Sequence, residues 1–180
     1  MSAAQIALFS SLMVESDLVA STINEHLWED IPAERRDTVE KERERISLLQ
    51  SGEDVVRFMR SGSDNLNDSL FCKRALAMQE EVIPLMLKRF CTSLQDRYIE
   101  LSTLILANAE ISCMEQLKAI YPDIRNPYAQ SKACLLFGMR KQTDTLPLLL
   151  REYERMKKTY PHDSFAEGPL LGIYLLFDKA

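Results

Sequence analysis

The sequence predicts an all-α protein whose second half is a short stack of helical hairpins. Three observations carry that expectation. Only five glycines occur in 180 residues, and Leu, Glu, Lys, Arg, Ala and Met, which give up little freedom in a helix, are abundant. Apolar residues recur at three- and four-residue spacing along most of the chain. The stretch Ile83-Pro84-Leu85-Met86-Leu87 is echoed by Leu146-Pro147-Leu148-Leu149-Leu150. At this length, with 46% apolar and 27% charged residues, the chain suits one domain burying roughly 70% of its unfolded surface.

Taken in order, Ile6, Phe9, Leu12 and Met13 predict a first helix. Leu18, Val19, Ile23, Leu27 and Trp28 predict a second, either separate or continuous with the first. The opening run from Ala3 to Val14 has no basic flank and is too short to span a bilayer, so it reads as core-facing. Asp30-Ile31-Pro32 signals the start of a charged helix over about 32–50, with a narrow apolar stripe of Val39, Ile46 and Leu49. Mixed charge along this helix predicts a solvated outer face. Ser51-Gly52 should end it, a short helix should follow over 53–60, and Ser61 to Asn67 should be a flexible loop. Helical spacing resumes at Leu66, Leu70, Phe71, Ala75, Leu76 and Met78.

From Glu81 onward the pattern becomes periodic. Expected helices cover 81–91, 97–109, 111–121, 127–139, 145–160 and about 165–178, separated by short polar turns. Leu135-Leu136-Phe137-Gly138 reads as the end of an apolar helix with a glycine-marked turn. Laying Tyr98 on Tyr128 gives an offset of 30, and Pro84 on Pro147 gives 63, about two repeats. A period near 30 built of two helices is the range of helical solenoids, in which each hairpin completes its neighbour's core.

These residues resemble the HEAT-like repeat family. Ile83-Pro84-Leu85-Met86-Leu87 and Leu146-Pro147-Leu148-Leu149-Leu150 match its first helix, with a proline among apolar positions. Asp96-Arg97-Tyr98 and Ala133-Cys134-Leu135-Leu136-Phe137-Gly138 match its turn and second helix. Met114 stands where the middle pair would carry proline, and Gly168-Pro169 should delay the last second helix until Pro169. The resemblance implies a short α-solenoid: three HEAT-like hairpins over 81–180, with residues 1–80 a helical cap packed on them in one continuous domain.

Composition narrows the chemistry. Residues 1–81 hold 9 Lys and Arg against 16 Asp and Glu, and residues 82–180 hold 13 against 11. The halves therefore carry −7 and +2, and an acidic first half argues against a protein that simply coats nucleic acid. Cys72, Cys91, Cys113 and Cys134 lie singly in apolar stretches, as small core residues suited to a reducing cytoplasm. Of the two histidines, His26 falls on a helix surface and His162 in a loop, neither in a nucleophile arrangement. No phosphate-binding glycine loop, metal-ligand spacing or cofactor motif is present, and the repeated His-Glu pairs of HEAT-like iron hydroxylases are missing.

The expectation is a non-catalytic, cytoplasmic scaffold binding another protein, with no cofactor, metal or membrane. The resemblance implies that the second helices line a concave side. Partner-binding candidates there are Arg97, Glu100, Tyr128, Lys132, Arg140, Glu167 and Tyr174, because tyrosine and arginine are frequent interface anchors. Tyr98 and Tyr128 fit equally well as spacers between hairpins with wet hydroxyls. The alternative is a nucleic-acid-binding or DNA-glycosylase-like member of the same family. It would draw on Arg97, Arg125, Lys132, Arg140, Lys141, Lys157 and Lys158, with Tyr98, Tyr128 and Trp28 as aromatic partners.

Overall fold

The structure, a computed structural model, describes residues 31–61 and 64–178. The two expected helices before Asp30, and with them His26 and Trp28, lie outside the described residues. The described residues form α-helices and short 3-10 turns, with no strand among them. The helices are α1 (Ala33–Ser47), α2 (Gly52–Ser61), α3 (Asp68–Leu76), α4 (Gln79–Phe90), α5 (Asp96–Asn108), α6 (Cys113–Ile120), α7 (Pro127–Met139), α8 (Leu146–Thr159) and α9 (Glu167–Phe177). The chain divides into two compact units, residues 1–82 and 83–180, with the boundary inside α4.

In the first unit, α1 buries only Val39 and Ile46 and exposes most of its charge. Part of that charge has an internal task, however. Arg35 grips the Asp64 carboxylate at 3.0 Å, and Glu42 accepts the Asp64 backbone N–H at 2.9 Å. Asn67, expected in a flexible loop, is fully buried and closes a 3-10 turn over Asn65–Asn67. Its side-chain amide donates to the Val39 carbonyl at 3.1 Å and to Glu42 at 2.6 Å, and its oxygen accepts from Arg43 at 3.0 Å. A polar side chain so enclosed must satisfy its groups internally, and Asn67 does so against α1.

Gly52 likewise differs from expectation. It opens α2 instead of closing α1, and a Cβ there would stand 2.7 Å from the Glu81 Cβ. Its N–H donates to the Glu81 carboxylate at 3.0 Å. Ser51 caps α2 by accepting the Asp54 N–H at 3.2 Å. Phe58 and Phe71 stack at 5.1 Å in the core of this unit.

The second unit is organised on α5, whose residues from Tyr98 to Leu106 are all buried except Glu100. α7 packs beside α5, and α9 packs beside α7, with α8 against α9. The expectation that Gly138 marks a turn fails. Gly138 lies inside α7 and is buried against α9, where a Cβ would meet Gly172 Cα at 2.4 Å. Gly168 faces Ser131, and Gly172 faces the Cys134 carbonyl, in the same backbone-to-backbone manner. Gly168-Pro169 therefore does not delay the last helix, which begins at Glu167. Proline is tolerated in a first turn because those N–H groups have no intrahelical acceptor.

The turn after α7 is made by Lys141, the one described non-glycine residue with positive φ, 54°. Its ammonium donates to the Leu175 and Asp178 carbonyls at 2.6 and 2.7 Å, the C-terminal end of α9. Arg140 beside it donates to the Ala107 and Ala109 carbonyls, both at 2.6 Å, at the end of α5. The C-termini of α5, α7 and α9 therefore lie together, and the three helices run parallel. Pro84 and Pro147 occupy different settings despite their sequence echo. Pro84 is the sixth residue of α4, while Pro147 sits in the first turn of α8, directly after a 3-10 turn at Thr143–Thr145.

Candidate functional site

Five of the seven expected partner-binding residues gather along the N-terminal halves of α5, α7 and α9. Arg97 pairs with Glu100 at 3.6 Å, one turn along α5. Glu100 in turn accepts the Tyr128 hydroxyl of α7 at 3.2 Å. Lys132, one turn further along α7, holds its ammonium 5.0 Å from the centre of the Tyr128 ring. Burial pushes the Lys132 amine below its ordinary value, while Glu100 and Glu167 pull it back up. Burial first, then the Glu100 charge, pushes the Tyr128 phenol up. Opposite charges thus alternate across three helices around a half-buried aromatic ring, with the cation over the ring face.

Glu167 continues this row onto α9 and heads an apolar stripe of that helix. Leu170, Tyr174 and Phe177 follow it at three, seven and ten residues, the spacing of one helix face. They are 47, 65 and 66% exposed, and Leu171 beside them is 41% exposed. The opposite face of α9 carries Gly168 and Gly172 and is the one in contact with α7. Sequence reasoning named Glu167 and Tyr174 but missed Leu170 and Phe177. The signal was available, since a helix with its small residues on one face and large apolar ones on the other buries the small side when backbones pack closely.

Arg140 does not join this row, because its guanidinium is spent on the end of α5. Tyr98 is fully buried and donates its hydroxyl to the Met86 carbonyl at 3.2 Å, so neither its ring nor its hydroxyl is presented. Tyr128 is the spacer with an outward edge. Cys72, Cys113 and Cys134 are buried free thiols and Cys91 is half-buried. Burial raises all four, Cys72 and Cys134 to about 12, which makes them poor nucleophiles. His162 is exposed in its loop.

A second feature was invisible in the sequence. Lys118 and Tyr121 from the end of α6, Gln130 from α7, and Leu148, Arg151, Glu152 and Arg155 from α8 line a cleft of about 400 Å³. Glu152 is 7% exposed and accepts two bonds from Arg155, at 2.9 and 2.6 Å. Arg155 also donates to Gln130 at 2.6 Å. The Tyr121 hydroxyl meets Cys134 Sγ at 3.4 Å, and burial pushes that phenol far up. Within Arg151-Glu152-Tyr153-Glu154-Arg155 nothing in the sequence distinguishes the buried acid from the exposed one.

No three His, Cys, Asp or Glu side chains among the described residues are placed to hold a metal ion. None of the described helices is long and apolar enough to cross a membrane. Compared with protein-family models, curated proteins and solved structures, the chain matches none significantly.

Proposed function

We propose that this chain is a non-catalytic scaffold that holds another protein on a face built by α5, α7 and α9. In this reading the hairpins α4–α5, α6–α7 and α8–α9 are HEAT-like repeats, and the three parallel second helices form the concave side of a short solenoid. The observation that carries the proposal is the row Glu167, Lys132, Tyr128, Glu100 and Arg97 across the three helices, bordered on the outer side of α9 by the exposed stripe Leu170–Tyr174–Phe177. Apolar anchors bordered by charges of both signs match the usual anatomy of a protein interface. Clustered exposed apolar groups of this kind mark interaction sites more often than catalytic ones. Four reduced cysteines suit a cytoplasmic setting.

A nucleic-acid role has less support. Arg140 and Lys141 are spent on helix ends, Arg97 is paired with Glu100, and Lys132 lies between two glutamates. Tyr98, which would have to stack on a base, is fully enclosed.

The test is affinity purification with the full chain at physiological salt, run beside Tyr174→Glu and Phe177→Glu, both at exposed positions. The expected result is one stoichiometric protein partner that both variants lose while keeping the wild-type melting temperature. Recovery of that partner by both variants would overturn the proposal, as would binding to duplex DNA that falls steeply with salt.

A further inference from the structure

The cleft between α6 and α8 is distinct from the row on α5, α7 and α9, and three basic side chains stand in its wall. Lys118, Arg151 and Arg155 stand in its wall against one carboxylate, Glu152. That carboxylate is already answered, since Arg155 reaches it through two N–H groups at 2.9 and 2.6 Å. Arg151 is not so engaged. Its guanidinium is 3.9 Å from Glu152, beyond hydrogen-bond distance, and its side chain is 69% exposed. Lys118 is held at the wall with 19% of its side chain exposed. Its partners Glu115 and Asp144 hold it at 2.6 and 2.9 Å and are themselves 73 and 65% exposed, a pairing that water screens.

We infer that this cleft binds a small molecule through a phosphate or carboxylate group, with Arg151 as the anchoring cation. The planar guanidinium offers paired N–H donors that match two oxygens of such a group. Arg155 is fixed in place by Glu152 and Gln130, so its remaining N–H groups are oriented before a ligand arrives and lose little conformational freedom on binding. Gln130 and Tyr121 supply polar wall, and Leu148 and Pro122 supply apolar wall for the remainder of the ligand. A cleft of about 400 Å³ lies within the range that holds small organic ligands. Basic side chains converging on one concave wall attract an anion more strongly than scattered surface lysines do.

The experiment is a nitrogen-proton NMR titration of the full chain, following backbone and arginine side-chain signals at constant ionic strength. The probes are pyrophosphate and citrate, one for each oxyanion chemistry, with chloride as the reference anion. The expected result is saturable shifts at Gln130, Arg151 and Arg155 with one or both probes, weakened about tenfold or more in Arg151→Gln. Arg125→Gln, a change at an exposed arginine outside the cleft lining, should leave the affinity unchanged. Shifts that never saturate, that are equal at Arg125 and Arg151, or that persist in Arg151→Gln would overturn the inference. Saturation with pyrophosphate alone assigns a phosphate ligand, and saturation with citrate alone assigns a carboxylate.

Discussion

Gly138 of α7 and Gly172 of α9 meet backbone to backbone, so that a Cβ on Gly138 would stand 2.2 Å from the Gly172 carbonyl oxygen. No rotamer change relieves such an overlap, because the obstructing atoms are main chain. The two helices would have to separate, and the contacts of Ser131 with Gly168 and Cys134 with Gly172 would loosen with them. Gly138→Ala is therefore expected to lose about 3 kcal/mol, the upper part of the overpacking range. Urea unfolding checks it by a lower midpoint with an unchanged slope. Wild-type stability in that variant would contradict a backbone-to-backbone seam between α7 and α9.

Arg140 closes the end of α5 through two charge-assisted bonds to carbonyls that have no helical donor. Arg140→Met keeps the aliphatic stem and removes both bonds. A loss of about 2 kcal/mol is expected, with faster amide exchange over the last turn of α5 as the local readout. Equal exchange in both proteins would contradict the capping role.

Glu152 and Arg155 form a nearly buried pair in which each answers the other. Glu152→Ala is expected to cost about 2 kcal/mol, below the range for fully buried pairs because Arg155 keeps 37% of its side chain exposed. Arg155→Ala should cost a similar amount, and the double variant clearly less than the two together. A thermal-melt mutant cycle measures the coupling, and strict additivity would show that the pair does not interact.

The buried thiols give the alkaline limb of stability a direction. Burial raises Cys72 and Cys134 to about 12 from 9.0. Above the lower value the unfolded chain releases protons that the folded chain retains. Their contribution is complete below pH 9.0 and is lost as pH rises through about 12, by about 1.4 kcal/mol per pH unit for each thiol. Lys132, lowered by burial, works in the opposite sense near its own range. Urea midpoints that fall steadily from about pH 9 upward are expected, and a flat profile would be inconsistent with enclosed thiols. A thiol reagent on the native protein should find Cys91 first, the others reacting on unfolding.

Much of the helical layout was legible because local signals and tertiary packing agree. The start of α7 at Pro127 carries an Asn126 cap that accepts the Tyr128 N–H at 2.9 Å, and proline at a first helical position is a strong sequence mark. Glycine was misread three times, at positions 52, 138 and 168, for one reason. Turn chemistry is local, whereas closeness to Glu81, Gly172 or Ser131 is fixed by residues 29 to 37 positions away. Asn67 and Glu152 escaped in the same way, since their partners lie on other helices or are masked by charged neighbours. The residues from Arg97 to Glu167 were expected on one side of the second helices from the HEAT-like resemblance, and the bond from Tyr128 to Glu100 across two helices could not be read from the sequence. Arg140 was placed with them because an arginine beside a turn looks free until the neighbouring helix end is seen.

Arg140 and Lys141 are consecutive in the chain, yet one serves α5 and the other α9. Helices laid side by side in the same direction crowd their negative ends, an arrangement that aligned peptide dipoles resist. Two adjacent cations at that crowding point offset the resistance and accept only carbonyl ends as partners. If either neighbour were reversed, it would present N–H groups to a cation and be rejected. A two-residue segment between α7 and α8 thus encodes direction: it tells both flanking helices which way to point, independently of the apolar surfaces that decide how closely they pack.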